Sequence, residues 1–220
     1  MSSTLTALIA KLQAQLLDNG TLFSTPTATV AFREALRKFN IAAPIHAATL
    51  IDVVQGQKEY ALNDPTIGTL FEIEGVWLKD AVAEEDKPLI HDFYFEDNAP
   101  FIRLRDAQAS SGGSGTAQLI IRYTTPHTIA GLDSSSDGIL TADQEQVIID
   151  GACFEAINVR RTSLVEGYNL SPNVIAQYES AAVSYSQAFQ LGLLRYSARR
   201  SAVGAPDDHA WDDQWHNWLR

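Results

Sequence analysis

The hydrophobic period of this sequence changes twice along the chain, and that order constrains the fold more than any other feature. Apolar residues first recur at helical spacing, then alternate in short β-rich runs between residues 49 and 123, and return to helical spacing from Thr141. A helix buries one stripe and a strand buries one face, so each pattern requires a core to pack on. The order predicts an α+β protein. Its helical core, made of N-terminal helices and long C-terminal helices, would carry an inserted antiparallel β-sandwich or small barrel and an extended C-terminal tail.

Two helices are predicted before the β-rich region. An apolar stripe runs from Thr4 to Leu17, and Asn19-Gly20 ends it. A second helix begins after Pro26 and cannot extend past Pro44, because proline lacks the backbone donor and clashes with the preceding turn. These signals place both helices in an N-terminal segment, residues 1–47.

Two longer helices are predicted after the β-rich region. Thr141 and Gln144 fit a capping box, in which the threonine side chain caps the helix and the glutamine reaches back. Ser171-Pro172 places a cap and a first-turn proline before a helix that extends to Arg200. Arginines at its end suit the helix dipole, although a contact with DNA or a partner is the alternative.

The β-rich region, residues 48–129, contains five or six short strands separated by turn signals. The runs are 49–54, 59–62, 70–78, 93–95, 101–104 and 118–123. Ser110–Gly115 between the last two is rich in glycine and serine, which predicts a hairpin tip. Residues 130–202 then form the C-terminal helical region, and residues 203–220 form the tail.

Aromatic residues mark two candidate interfaces. The last helix carries aromatic and small residues in one stripe, which suits close packing against a neighbouring subunit or an ordinary hairpin with the helix before it. Its candidate interface residues are Tyr178, Tyr185 and Phe189. In the tail, Trp211, Trp215 and Trp218 fall on one helical face, followed by Leu219. Tryptophan is enriched in binding hot spots, so the tail is predicted to dock on its own body or on a partner.

The chain is acidic, with a formal net charge of -11 at pH 7. This argues against a basic nucleic-acid binder. Nine acidic residues lie between Glu72 and Asp97. They indicate a solvated strand face, a surface for a basic partner, or the lining of a channel through which DNA passes without sticking.

No residues form a recognisable catalytic, cofactor or metal site, and the sequence therefore predicts a protein that is not an enzyme. Cys153 lies in an apolar helical pattern, which indicates an inert buried thiol. Residues 133–144 resemble a calcium-binding EF-hand loop, but Gln144 stands where a bidentate glutamate is needed, so a loop leading into the capping box is the better interpretation. The five histidines show no zinc spacing, and phosphate-binding loops and nucleophile elbows are absent. Nor does the sequence contain a signal peptide or a membrane span.

A family resemblance follows from the succession of these elements. Phe32–Asn40 leads into Ala48-Thr49-Leu50 and then into Gly56–Leu62; Ile121–Ile129 and the capped helix from Thr141 to Ala156 come later. This succession, over residues 28–160, resembles tailed-bacteriophage head-to-tail adaptor proteins, whose helical core carries a β-rich insertion.

The resemblance implies a structural virion protein in the neck of a tailed-phage particle, present in the bacterial host cytoplasm during assembly. Such a protein forms a homo-oligomeric ring, usually a dodecamer, between the portal protein and the next neck or tail component. Viral DNA would pass through its lumen during ejection without sequence-specific binding, and no membrane is involved. The tryptophan-rich tail and the helix at Thr4–Leu17 depart from the family pattern. Alternatives are a stopper, tail completion or head decoration protein, or a glycan-binding or glycan-cleaving module.

Overall fold

The computed structural model of the chain describes residues 4–18, 20–62, 72–79, 87–96, 99–108, 117–166 and 172–203. The chain divides into two compact units. One is a helical unit, made of the described residues of 1–43 and 127–220, and the other is a sheet unit within residues 44–126. The predicted α+β class is confirmed, with four helices and antiparallel sheets in the described residues.

The helical unit contains α1 (Leu5–Gln15), α2 (Thr25–Ala42), α3 (Ala142–Glu166) and α4 (Pro172–Val203). Thr4 caps α1, since its Oγ1 accepts from the Ala7 N–H at 3.4 Å. The predicted capping box of α3 is confirmed in both directions: Thr141 N–H donates to the Gln144 side chain at 2.9 Å, and Gln144 N–H donates to Thr141 Oγ1 at 3.4 Å. No helix in the described ranges combines the length and the hydropathy needed to cross a bilayer.

Helix α3 is the centre of the helical unit, because α1, α2 and α4 all pack on it. Its buried apolar side chains form two adjacent ridges at four-residue spacing: Ile148, Ile149, Ala152, Cys153, Ala156 and Ile157. Many of the core positions contributed by the other helices are alanines, namely Ala28, Ala31, Ala35 and Ala182. Small side chains let the helix backbones approach closely, and this explains the compact packing of long helices.

The turn between α1 and α2 is organised by Asp18. Its carboxylate accepts the backbone N–H groups of Thr21, Leu22 and Phe23 at 3.2, 3.1 and 2.8 Å. Burial acts to raise the pKa of Asp18, but these hydrogen bonds favour the charged form more strongly, and the net pKa lies below its ordinary value. A single carboxylate therefore satisfies the backbone donors that precede α2.

The chain leaves the helical unit after Ala43 and re-enters it at His127, and a buried polar pair joins these two places. Asn40 Nδ2 donates to the carbonyl of His127 at 3.1 Å, and Asn40 Oδ1 accepts from the His127 N–H at 2.8 Å. The His127 ring lies between the carbonyls of Ile139 and Ala43, with Nδ1 and Nε2 each 3.0 Å from the nearer oxygen. These contacts hold the end of α2 against the start of the returning segment.

The sheet unit contains seven described strands: β1 (Ile45–Asp52), β2 (Glu59–Ala61), β3 (Glu72–Lys79), β4 (Lys87–Leu89), β5 (His91–Glu96), β6 (Ala99–Leu104) and β7 (Gln118–Thr125). They form a four-stranded sheet in the order β1-β7-β3-β4 and a three-stranded sheet in the order β2-β6-β5, with every pair antiparallel. Side chains of both sheets meet in one core, so the sandwich alternative agrees with the structure, and the barrel is not closed.

Three details of the predicted strands were wrong. The short strand β4 was missed, because Pro88 and its brief length gave no alternating pattern. β1 begins at Ile45, four residues before the predicted run, because pairing with β7 extends it through alanines of low strand propensity. β6 and β7 lie in different sheets, so they do not form the predicted hairpin; residues 110–115 themselves lie outside the described residues.

Packing around Gly75 explains an irregularity in β3. The register with β7 shifts between Ile73 and Gly75, and the Trp77 ring lies so close to Gly75 that an added Cβ would stand 2.5 Å from it. The Arg122 guanidinium covers the same indole, 4.5 Å from the ring centroid. The missing side chain of Gly75 therefore provides the space in which this tryptophan packs, next to the irregularity in the strand.

Candidate subunit and partner interfaces

The outer face of α4 is the most unusual surface of the helical unit. No charged residue occurs between Glu179 and Arg195, a stretch of four helical turns. This stretch exposes Val183, Leu191 and Leu194, at 55%, 67% and 63% of their full accessible surface. Surface helices of monomeric proteins normally carry charged residues on the solvent face. The exposed, uncharged residues of 180–194 are called the outer face of α4 below.

A groove of about 600 Å³ runs between α3 and α4 beside this face. It is lined by Phe154, Asn158, Arg161, Glu179, Ala182, Val183, Ser186 and Gln187. Arg161 and Glu179 stand 3.9 Å apart across it, and Lys38 lies over the Phe154 ring, 5.8 Å from its centroid. Three of the lining residues are apolar and five are polar or charged, a mixture that is typical of protein surfaces in contact with other proteins.

The three predicted interface residues of α4 face into their own unit. The Phe189 ring is buried, and it packs so closely on Gly151 that an added Cβ would lie 2.8 Å from the ring. Tyr185 donates from its hydroxyl to the carbonyl of Gln15 at 3.3 Å, and burial raises its pKa. Tyr178 packs, partly buried, against the same core. Phe189 therefore has little surface left for a neighbouring subunit, and an interface role stays a prediction for the two tyrosines.

Two glycines lie in the contact between α3 and α4, each against a larger side chain of the other helix. Gly151 faces Phe189, and an added Cβ at Gly192 would lie 2.6 Å from the methyl groups of Val147. Glycine in a helix interior is unfavourable unless packing requires it. Glycines inside two consecutive predicted helices were therefore a sequence signal that these helices pack against each other.

The tail residues predicted to bind a partner are Trp211, Trp215, Trp218 and Leu219, and all four lie outside the described residues. Their role stays a prediction. The described chain ends at Val203, the last residue of α4, so the tail begins at the end of that helix.

The loop that resembles an EF-hand is held by other contacts. The Arg33 guanidinium pairs with both carboxylate oxygens of Asp133 and holds the pKa of Asp133 below its ordinary value. Thr128 Oγ1 and Ser135 Oγ each donate to the carbonyl of Asp137 at 2.8 Å. These bonds satisfy the loop internally and join it to α2, as the interpretation of a loop before a capped helix requires.

The Cys153 side chain is fully buried in the helical core. Burial raises the pKa of the Cys153 thiol to about 12, which confirms the predicted inert cysteine. Within the described ranges, no group of three or more His, Cys, Asp or Glu residues could hold a metal ion. Of the acidic segment, Glu72, Asp92 and Glu96 are exposed, and Glu74 pairs with His46 at 2.8 Å.

No family model and no curated protein matches the chain. Among solved structures, a chain of "Neck of empty GTA particle computed with C6 symmetry" is similar, with 14% sequence identity and a TM-score of 0.30. The alignment covers 66% of this chain and 74% of that chain.

Proposed function

We propose that this chain is a structural protein of a tailed-phage particle, a head-to-tail adaptor with no enzymatic activity. Copies of the chain assemble into a closed ring between the portal and the next neck or tail component, and viral DNA passes through the lumen. The outer face of α4 supports this proposal more than any other observation, since its uncharged surface suits contact with another protein.

Contact between neighbouring copies is assigned to the part of this face around Val183 and to the groove beside it. Val183 lines the groove together with Phe154, so the groove and this part of the face are continuous. A ring needs a heterologous contact, in which this surface meets a different one on the next copy. An open groove suits that kind of contact, because it can receive a protruding element of the next copy.

The charge of the chain supports the proposed passage of DNA. Its formal net charge is -11, and Glu72, Asp92 and Glu96 are exposed on strands of the sheet unit. Acidic walls repel the phosphate backbone, so DNA would move past them without being retained.

Ring formation is tested with the substitution Val183→Glu. Size-exclusion chromatography with light scattering and negative-stain imaging should show annular particles for the wild type, alone or with portal present. Val183→Glu should lose them, because a charge would be buried at the contact without a partner. Val30→Glu on α2 is the matched control, since Val30 is also about half exposed, and it should keep the rings. A wild-type chain that stays monomeric with portal present and cleaves a glycan would refute the proposal.

Attachment to the portal is assigned to the tail and tested by deleting residues 206–220. The helical and sheet units should stay folded by circular dichroism, and co-sedimentation with portal should be lost, because the tryptophan stripe would supply the hot-spot contacts. A truncated chain that still co-sediments with portal would remove the tail from the proposal and leave the ring untouched.

A further inference from the structure

The last turns of α4 expose two leucines, and burying them against another segment would be favourable. Leu191 and Leu194 are each about two-thirds exposed and lie one turn apart on the outer face of α4. We propose that residues 207–220 of the same molecule fold back antiparallel to α4 and cover these two leucines in the free subunit. The inference concerns a single subunit, so it does not rest on ring formation or on a portal.

The sequence after α4 suits such a reversal. The helix ends at Val203 and is followed by Gly204, Ala205 and Pro206. Glycine is the preferred residue just past a helix end, and proline soon after it prevents the helix from continuing. Connections of about two to five residues join antiparallel helices. A short connection also keeps the tail at a high effective concentration near α4, which favours its own subunit over a neighbour.

The spacing of apolar residues matches on the two sides of that connection. Leu191 and Leu194 are three residues apart, and so are Trp218 and Trp215. A reversal at residues 204–206 brings Trp215 close to Leu194 and Trp218 close to Leu191. One helical face of the tail would therefore meet the outer face of α4 in register.

The charges of the two segments are complementary. The last turns of α4 carry Arg195, Arg199 and Arg200 in the sequence, and Arg195 is exposed. The first part of the tail carries Asp207, Asp208, Asp212 and Asp213. In the same antiparallel register these aspartates lie beside the arginines, and the tryptophans lie beside the leucines. Opposite charges and apolar surface thus specify one orientation together.

Disulfide trapping in the isolated protein tests the inference. In a Cys153→Ala background, the pair Leu194→Cys and Trp215→Cys should form an intramolecular disulfide under mild oxidation at dilute protein. The control pair, Val183→Cys and Trp215→Cys, tests a position three turns farther from the end of α4. It should react at least about tenfold more slowly, because the docked tail does not reach it. The products are separated by non-reducing electrophoresis and identified by mass spectrometry.

Three outcomes would overturn the inference: equal rates for the two pairs, predominantly disulfide-linked dimers, or no disulfide in either pair.

Limited proteolysis provides a second measurement that keeps Trp215 intact. Chymotrypsin cuts after tryptophan, and the double substitution Leu191→Glu and Leu194→Glu should speed cleavage of the tail about tenfold by releasing it. Val30→Glu should leave the rate unchanged. Equal cleavage of all three proteins would also overturn the inference.

Discussion

The helical unit and the sheet unit satisfy their backbone polar groups in different ways. Among the described residues, the helical unit buries four polar or charged side chains: Asp18, Asn40, His127 and Glu145. The sheet unit buries Thr124 and two tyrosines, Tyr60 and Tyr123, and the Tyr60 hydroxyl lies 3.3 Å from the carbonyl of Gln57 in the neighbouring turn. Strand ladders pair most backbone groups of a sheet with one another. Turns between helices have no such ladder, so buried side chains must supply the missing partners.

The two cores also differ in the size of their side chains. The helical core is rich in alanine and adds two glycines where α3 and α4 meet, whereas the described core of the sheet unit has a single alanine, Ala117, among aliphatic and tyrosine side chains. The helical unit thus depends on close backbone approach and a few polar contacts, and the sheet unit depends on paired strands and larger side chains.

The largest expected effect tests whether the two cores are separate. Phe39 and Ile102 are fully buried, one in each unit. Phe39→Ala should cost about 3–5 kcal/mol, and Ile102→Ala about 2–5 kcal/mol, because each leaves a cavity. Hydrogen exchange measured by mass spectrometry should show loss of protection in the helices for the first variant and in the strands for the second. Equal loss in both units from either variant would mean that they unfold as one.

A smaller effect tests the contrast in polar contacts. Asn40→Ala should cost about 2–3 kcal/mol, because it leaves the buried N–H and carbonyl of His127 without their partners. Thr124→Val in the sheet unit should cost about 1 kcal/mol or less, since the ladder bonds remain. Denaturant unfolding measures both, with the exposed Asn173→Ala as control. A cost for Thr124→Val as large as that for Asn40→Ala would contradict the comparison.

The smallest effect concerns the Asp18 turn and depends on pH. Asp18→Asn should cost about 1 kcal/mol at pH 7, because an amide is a weaker acceptor than a carboxylate. The folded-state pKa of Asp18 lies below its ordinary value of 3.8, so its contribution is fully present above that pH and is lost as the pH falls through the lower folded value. Thermal melts should therefore show the two proteins converging below about pH 3.8. A difference that persists unchanged in acid, or an equal effect from the exposed Asp106→Asn, would count against this role.

Local signals predicted the helices well, because a cap acts within one turn. Thr4, Pro26, Thr141 and Pro172 placed the starts of α1, α3 and α4 within one residue of the structure and that of α2 within two. Strand pairing was predicted less well, since the partner of a strand is set by distant residues; β6 and β7 are sequence neighbours that joined different sheets.

The candidate interface shows the same limit. A helical period identifies an apolar stripe but not what covers it, so Phe189 fitted an interface prediction while packing on Gly151 in its own unit. The outer face of α4 could have been predicted from the sequence, because no charged residue occurs between Glu179 and Arg195. That signal comes from the composition of the segment and not from the spacing of its apolar residues.

The buried contacts of His127 have a consequence for how this molecule could change over time. The carbonyl of Ala43 and the ring of His127 are 3.0 Å apart, so the chain leaves the helical unit and returns to it at nearly the same place. The entropy of closing such a gap grows only slowly with the length of chain between its ends. Evolution could therefore lengthen, shorten or replace the whole sheet unit as if it were a surface loop, while the four described helices kept their packing on one another.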